Sequence, residues 1–168
     1  PVYTYTSSGT FAVTLTVTNA AGCIDDTTIN VVVLPAPEAI FTVAPVCDGD
    51  SMCFTDLSLH NATNITSWSW DFGDGQSSTA QDPCHLYTTF GIYNVILTVT
   101  NDLGCTDDTT IAVEVYPNPE ADFTYLANCD YEVVFADQSI ANATSITSWL
   151  WAFGDGIGTS TAQNPTYT

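Results

Sequence analysis

The stretch Trp70-Asp71-Phe72-Gly73-Asp74-Gly75 is the part of this sequence that decides its fold. Its tryptophan and phenylalanine are two positions apart, so in a strand both side chains lie on one face, and the Gly-Asp-Gly that follows is typical of a tight turn. Nearly the same stretch returns as Trp151-Ala152-Phe153-Gly154-Asp155-Gly156. A strand and turn that recur along a chain indicate a repeat architecture.

Other stretches recur with the same spacing. The sequence of 61–68 returns at 142–149, and that of 98–111 is already present at 16–29. These matches divide the chain into the C-terminal half of one repeat (1–35), a complete repeat (36–117) and the N-terminal part of a further repeat (118–168). We therefore expect the chain to be a stretch of a longer array of repeats.

Apolar and polar residues alternate through each repeat. Tyr93, Val95 and Leu97 are separated by single residues, and Ile111 and Val113 follow the same pattern on the next strand. Short alternating strands bounded by Gly, Asn and Asp turns predict an all-β sandwich. The Pro-x-Pro joints between repeats fix φ and interrupt strand pairing, so we expect short, stiff connectors and an extended rod.

The charge balance excludes several partners. The chain has 19 acidic residues and no lysine or arginine, for a formal net charge of −19. Nothing in it can neutralise phosphates, which excludes nucleic acid and anionic membrane surfaces as partners. No apolar run is long enough to span a membrane. Divalent cations are the ligands that such a surface favours.

The motif at 70–75 is followed by Pro83, His85, Tyr87 and Gly91, and with them it resembles the polycystic kidney disease (PKD) domain. The resemblance covers the complete repeat and both partial ones. It implies tandem immunoglobulin-like sandwiches of two antiparallel sheets, which act in extracellular proteins as spacers, adhesion units or accessory domains. Details around the cysteines resemble repeats of very large secreted or surface adhesins of Bacteroidetes.

The resemblance assigns the motif residues to the core. We expect equivalent burial of the tryptophans in the complete and the last repeat, and packing roles for Trp70, Phe72, Gly73, Gly75, Trp151 and Phe153. Trp68 and His85 also have core parity, so packing is a better interpretation than carbohydrate stacking or catalysis. No nucleophile has a spacing to His85 that indicates an active site, and we expect no enzymatic activity.

Six cysteines without a Cys-x-x-Cys motif indicate disulfides and an oxidising compartment. The two histidines, His60 and His85, do not complete a tetrahedral zinc site with them. Cys53 and Cys84 have no counterpart in the other repeats, point outward by parity, and lie on neighbouring strands in the fold that the resemblance implies. We predict that they pair. The pairing of the other cysteines stays open. Cys47 could pair with Cys105, or each could form a disulfide with a cysteine of another repeat. The four cysteines that recur between repeats are Cys23, Cys47, Cys105 and Cys129.

The acids of the motif are candidate calcium ligands. Some PKD modules bind calcium through such acids, and Asp71 and Asp74 could begin a site of six to eight oxygens. The alternative is that Asp74 bonds the backbone of its own turn, and we favour it for that residue. Ala152 removes one ligand from the last repeat. The acid pairs at 25–26 and 107–108 alternate in direction and are interpreted as solvated edge charges.

Glycosylation candidates lie on loops and exposed strand faces. Asn61, Asn64 and Asn142 occupy Asn-x-Ser/Thr sequons. Thr27 and Thr109 follow aspartate in an Asp-Thr-Thr sequence that resembles an O-glycosylation acceptor motif. Each site depends on the glycosylation machinery of the source.

The sequence predicts a structural or adhesive role in a long extracellular filament or surface adhesin, with no catalysis. The partners are then neighbouring repeats, other copies in fibres, and extracellular surfaces or glycans. The first alternative is an accessory spacer in a multidomain secreted enzyme. The second is a calcium- or glycan-binding module.

Overall fold

The computed structural model describes residues 1–168 and is all-β apart from one 3₁₀ turn at Cys129–Tyr131. The fold class predicted from alternation is therefore confirmed. No helix is present that is long and apolar enough to cross a membrane. The chain divides into two compact units, one of residues 1–44, 53–85 and 93–113 and the other of residues 45–52, 86–92 and 114–168.

The N-terminal hairpin consists of β1 (Gly9–Thr18) and β2 (Ile24–Val33). The strands pair antiparallel along their whole length, from Gly9↔Val33 to Thr18↔Ile24. The turn between them is closed by Asn19, whose Oδ1 accepts hydrogen bonds from the amides of Ala21 and Cys23. Asparagine is favoured here because its short side chain can bond the backbone of the turn that it starts.

The central segment, residues 36–117, forms a two-sheet sandwich. Its strands are β3 (Phe41–Val43), β4 (Val46–Cys47), β5 (Ser51–Asp56), β6 (Ile65–Asp71), β7 (Ser77–Ser78), β8 (Cys84–Leu86), β9 (Gly91–Asn101) and β10 (Thr106–Tyr116). One sheet has the order β4-β10-β9-β6-β7 and the other β3-β5-β8. The β10–β4 pairing is parallel, whereas β3–β5, β6–β7 and β6–β9 are antiparallel.

An aromatic cluster joins the two sheets of the sandwich. Trp70 on β6 is fully buried, and its ring centroid lies 5.1 Å from that of Phe41 and 5.4 Å from that of Phe54 on the opposite sheet. Val95, Leu97 and Val99 on β9 are also fully buried. The alternating residues identified in the sequence therefore form the core.

Gly73 is required by the turn that follows β6. Its φ of 78° is a left-handed conformation that residues with a side chain rarely adopt. A Cβ built at this position would lie 2.6 Å from the carbonyl oxygen of Asn94. Both the backbone conformation and the close approach of another strand select glycine here.

The C-terminal segment, residues 118–168, repeats the first part of the sandwich. Its strands are β11 (Phe123–Ala127), β12 (Val133–Asp137), β13 (Trp151–Ala152), β14 (Thr159–Ser160) and β15 (Thr166–Tyr167). They form two small sheets, β11-β12-β15 and β13-β14. The indole of Trp151 donates to the carbonyl of Ala162 at 2.8 Å, just as that of Trp70 donates to Ala80 at 2.9 Å.

The expectation that Trp151 and Trp70 are buried equivalently is wrong. Trp151 is half-buried, and Phe123 is 52% exposed where its counterpart Phe41 is 4% exposed. In the central segment β9 pairs with β6 and places Leu97 opposite Trp70. Residues 118–168 contain no counterpart of β9, so this face has no strand beside it.

Candidate functional site

The acids of the motif close their own turn. Asp71 Oδ1 accepts a hydrogen bond from the amide of Gly73 at 2.9 Å, and Asp74 Oδ1 accepts one from the amide of Gln76 at 2.9 Å. The amide of Phe72 donates to the carbonyl of Gln76 at 3.1 Å. These bonds explain aspartate at both positions, because a short carboxylate can reach the amide two residues on.

His85 clamps this turn from the neighbouring sheet. Its Nε2 lies 2.7 Å from Asp74 Oδ2, and its ring stacks on Phe72 with centroids 4.2 Å apart and planes 2° apart. Burial raises the pKa of the Asp74 carboxyl, but the bonds from His85 and the Gln76 amide outweigh this and hold it below its ordinary value. His85 is 8% exposed, as a packing residue is.

A tyrosine performs the same task in the C-terminal segment. The Tyr167 hydroxyl donates to Asp155 Oδ2, and its ring stacks on Phe153 with centroids 4.1 Å apart. This bond, together with those from the amides of Gly158 and Ile157, lowers the pKa of Asp155 to about 2. Because a phenol can replace the imidazole, what the site requires is a ring with a hydrogen-bond donor, which is a structural requirement.

The same turn was the candidate calcium site. No group of three or more His, Cys, Asp or Glu side chains is placed to hold a metal ion. One oxygen of Asp71 and both oxygens of Asp74 already accept bonds from the protein. Calcium binding through these two acids stays a prediction.

A second aspartate cluster was missed in the sequence. Asp56 accepts hydrogen bonds from the indole of Trp68 at 2.7 Å, the side-chain Nε2 of Gln81 at 3.1 Å, and both the hydroxyl and the backbone amide of Ser58. Burial raises the pKa of Asp56, but these bonds outweigh it, so the pKa lies below its ordinary value. Trp68 is half-buried, which agrees with the packing interpretation only in part.

The cluster recurs around Asp137. It accepts hydrogen bonds from Trp149 at 2.8 Å, Gln163 at 3.1 Å and the amide of Ser139 at 3.0 Å. Bonds from Ser139 first, then those from Gln163 and Trp149, lower the pKa of Asp137 to about 2. The signal that could have revealed the cluster is the Asp-x-Ser that precedes the tryptophan in both repeats.

Asp107 is not a solvated edge charge, so that interpretation was wrong for this residue. Its Oδ2 accepts a hydrogen bond from the amide of Ala39 at 2.9 Å, across 68 positions of sequence. The bond ties the start of the segment to its last hairpin. Alternation along one strand shows which face a carboxylate occupies, but not which backbone amide the fold brings to it.

A family model for the PKD domain matches residues 32–116 of this chain. The chain belongs to the PKD domain family. The pre-pro-metalloprotease PrtV of Vibrio cholerae serotype O1 (strain M66-2) is 40% identical over 94 residues, which are 50% of this chain and 10% of that protein. Collagenase ColQ1 of Bacillus cereus (strain Q1) is 44% identical over 62 residues, 36% of this chain and 6% of that protein. The chain thus spans a tenth or less of the length of these relatives.

Isolated PKD domains of known structure are similar to this chain. The PKD1 domain of Vibrio anguillarum Epp is 39% identical with a TM-score of 0.46, and the match covers 49% of this chain and 95% of that one. The PKD1 domain from the metalloprotease PrtV of V. cholerae is 40% identical with a TM-score of 0.45, covering 48% of this chain and 98% of that one.

The cysteines of this PKD protein fall into two groups. Cys53 and Cys84 form a disulfide that joins β5 to β8, and both face outward, while Phe54 and His85 beside them are buried. The four recurring cysteines are unpaired and exposed: Cys23, Cys47, Cys105 and Cys129. Their thiols are accessible for bonds to other chains or repeats.

Two of the sequon asparagines have a structural task. Asn61 has a φ of 54°, and its Nδ2 donates to the carbonyl of Ala36 at 2.9 Å. Asn142 has a φ of 63° and donates to Asn118 at 2.7 Å. The nitrogen that would carry a glycan therefore holds the loop to the segment entry in both places.

The other glycosylation candidates lie outside that arrangement. Asn64 and Thr27 are exposed, and Thr109 is half-buried. The structure does not test modification of any of the five candidates, which stay predictions.

One apolar groove is open in the C-terminal segment. It has a volume of about 600 Å³ and is lined in part by Phe123, Phe135, Trp149, Trp151 and Phe153. In the central PKD sandwich the counterparts of three of these residues, at positions 41, 54 and 70, are at most 4% exposed. The groove is therefore lined by residues that correspond to core residues of the central sandwich.

Proposed function

We propose that this chain is a run of tandem PKD modules that acts as a non-catalytic spacer in a secreted multidomain protein. The observation that carries the proposal is that the polar side chains of the motif make hydrogen bonds within the fold. The Asp74 carboxylate bonds its own turn and His85, and Asp155 repeats this with Tyr167. Residues that recur because they make such bonds within the fold serve to stabilise the module.

The comparisons support an accessory role. The relatives are a metalloprotease and a collagenase, and each matches this chain over a tenth or less of its own length. Such a match is what a module attached to a separate catalytic domain produces. The disulfide between Cys53 and Cys84 agrees with an extracellular location, because disulfides persist in oxidising compartments.

The proposed tandem arrangement is supported by hydrogen bonds that recur at equivalent positions, as well as by the recurring sequence. Asp56 with Trp68 is repeated by Asp137 with Trp149. The Asn19 turn of the hairpin is repeated at Asn101, whose Oδ1 accepts from the amides two and four positions on. We therefore propose modules with the boundaries 1–35, 36–117 and 118–168.

Collagen binding and solution scattering test the spacer role. A spacer shows no saturable binding to immobilised collagen or to glycan arrays, and small-angle scattering gives an extended particle. Binding with a Kd in the micromolar range or below would make the chain a recognition module instead. A scattering profile of a sphere would contradict stiff joints between the modules.

A filament or adhesin role is the second candidate, favoured by the four exposed thiols. Cys47 and Cys129 recur at equivalent positions, as do Cys23 and Cys105, and all are unpaired. Thiols repeated at a fixed spacing along an array fit covalent staples between repeats or chains. Peptide mapping of the native protein without reductant tests this, and a Cys47–Cys105 linkage within one repeat would refute the staple.

A further inference from the structure

The joint between the central and the C-terminal segment is Pro117-Asn118-Pro119. A proline ring fixes φ at about −65° and carries no amide hydrogen, and a residue before proline is restricted to extended conformations. The chain therefore leaves β10 with few free rotations and with no backbone donor at 117 or 119. Asn118 is the only residue of this joint that has hydrogen-bond donors.

The Asn118 side chain takes the place of the missing backbone donors. β4 runs parallel to β10, and the last pair of this ladder is Cys47 with Tyr116. The next residue, Asp48, donates its amide to the carbonyl of Tyr116 at 2.8 Å. The carbonyl of Asp48 then accepts a hydrogen bond from Asn118 Nδ2 at 2.8 Å. The side chain thereby extends the contact between β4 and β10 by one step into the joint.

The backbone of the same asparagine is held by the segment that follows the joint. Asn142 Nδ2 donates to the carbonyl of Asn118 at 2.7 Å. Close to it in the chain, Glu120 and Ile140 exchange two backbone hydrogen bonds of 2.9 and 2.8 Å. Asn118 is thus bonded to Asp48 before the joint and to Asn142 after it.

Both partners of Asn118 lie with it in one compact unit. Residues 45–52 and 86–92 of the central segment belong to the same unit as residues 114–168, which contain the joint. Asn118 and Asn142 are exposed and Asp48 is half-buried, so water competes for the two bonds. Each bond by itself shifts an equilibrium by roughly tenfold at most. Together they act on a residue whose backbone is already restricted by two prolines.

The other Pro-x-Pro joint, at 35–37, has half of this arrangement. The carbonyl of Ala36 accepts a hydrogen bond from Asn61 Nδ2 at 2.9 Å, as that of Asn118 does from Asn142. The methyl side chain of Ala36, however, has no donor for the strand ends that precede the joint. The middle residue of the joint therefore decides whether the chain is held on one side or on both.

We propose that Asn118 is a clamp that fixes the angle between two successive modules, and that a joint with alanine in its place bends more freely. The side chain bonds the module before the joint, and the backbone carbonyl bonds the module after it. The stiffness of the array is then set joint by joint through one residue. The inference deepens the proposed spacer role and rests on it, because a spacer holds a defined distance only if its joints resist bending.

Distances between two spin labels, measured by pulsed electron paramagnetic resonance, test the clamp. The labels are attached to the exposed thiols of Cys105 in the central segment and Cys129 in the C-terminal segment. Cys23 and Cys47 are replaced by serine, and the disulfide is kept. The width of the distance distribution then reports how far the joint bends.

Asn118→Ala copies the joint at 35–37 and is expected to broaden this distribution by at least about 1.5-fold, because it removes the bond to Asp48. Alanine before proline keeps the same restriction to extended conformations, so the change removes the bond and not the backbone preference. Asn142→Asp removes the donor on the other side of the joint and is expected to broaden the distribution as well. Aspartate tolerates the positive φ of that position.

Asn30→Ala is the matched control for Asn118→Ala, because Asn30 is an exposed asparagine on β2, outside the joint. It is expected to leave the width of the distribution unchanged. Far-ultraviolet circular dichroism of all the variants establishes that the strands are kept.

A width that Asn118→Ala leaves unchanged overturns the clamp, whether the joint is stiff for another reason or already bends freely. Equal broadening by Asn30→Ala overturns it too, because the effect is then not specific to the joint. Saturable binding of the chain to collagen or glycans refutes the spacer role but does not alter the measured width, so the two failures are distinguishable.

Discussion

Truncation of Leu97 and of Leu15 to alanine compares the same side chain at equivalent positions with and without a covering layer. Leu97 is fully buried and lies opposite Trp70, while Leu15 is 62% exposed. Leu97→Ala removes buried methyl groups and leaves a cavity, which costs roughly 3–5 kcal/mol. Leu15→Ala loses only the part of the surface that is covered and opens no cavity, which costs less than about 1 kcal/mol.

Urea unfolding followed by far-ultraviolet circular dichroism, which reports on the strands of both segments, measures both effects. With a slope of about 1–1.5 kcal/mol per molar urea, Leu97→Ala is expected to lower the midpoint of the central segment by about 2–5 M. Leu15→Ala, in the N-terminal hairpin, is expected to lower the unfolding midpoint by less than about 1 M. Both variants must keep the wild-type slope for the comparison to measure stability.

Similar losses from the two variants would refute the reasoning, because they would mean that the hairpin face is already packed. A small loss from Leu97→Ala would equally show that β9 does not form the core. The comparison is internal to one molecule, so differences in buffer or expression do not affect it.

Three further predictions concern the turns and acids. Gly73→Ala is expected to lower the free energy of unfolding by more than about 2 kcal/mol, because it adds a clash with Asn94 to the strain of a positive φ. Gly104 has a similar φ but open space around it, so Gly104→Ala is expected to cost about 1 kcal/mol. Urea unfolding midpoints of the two variants measure the difference. The folded-state pKa of Asp155 is about 2 against an ordinary 3.8, so its stabilisation is present above about pH 4 and is lost as pH falls towards 2. The melting temperature of wild type should approach that of Asp155→Asn over that interval, and a constant difference contradicts the assignment. If calcium binds at the 71–74 turn, EDTA lowers the melting temperature of calcium-loaded protein, and an unchanged temperature rules the site out.

The sequence by itself determined the fold class and the inward residues of the central segment. A period of two assigns each residue to a face, so the inward positions of Phe54 and Leu97 and the outward position of Cys53 follow from alternation alone. The Gly-Asp-Gly turn was equally predictable from the sequence, because its hydrogen bonds join residues that are close together in the chain. Asp74 closing its own turn is such a local feature.

Only the tertiary structure decided the contacts that join distant residues. The bond from the Ala39 amide to Asp107 and the cluster around Asp56 depend on which strands lie side by side, and no single strand contains that information. The unequal burial of Trp70 and Trp151 has the same cause. Their local sequences are nearly identical, but burial is a property of the layer that covers a residue, and only one of the two has β9 beside it.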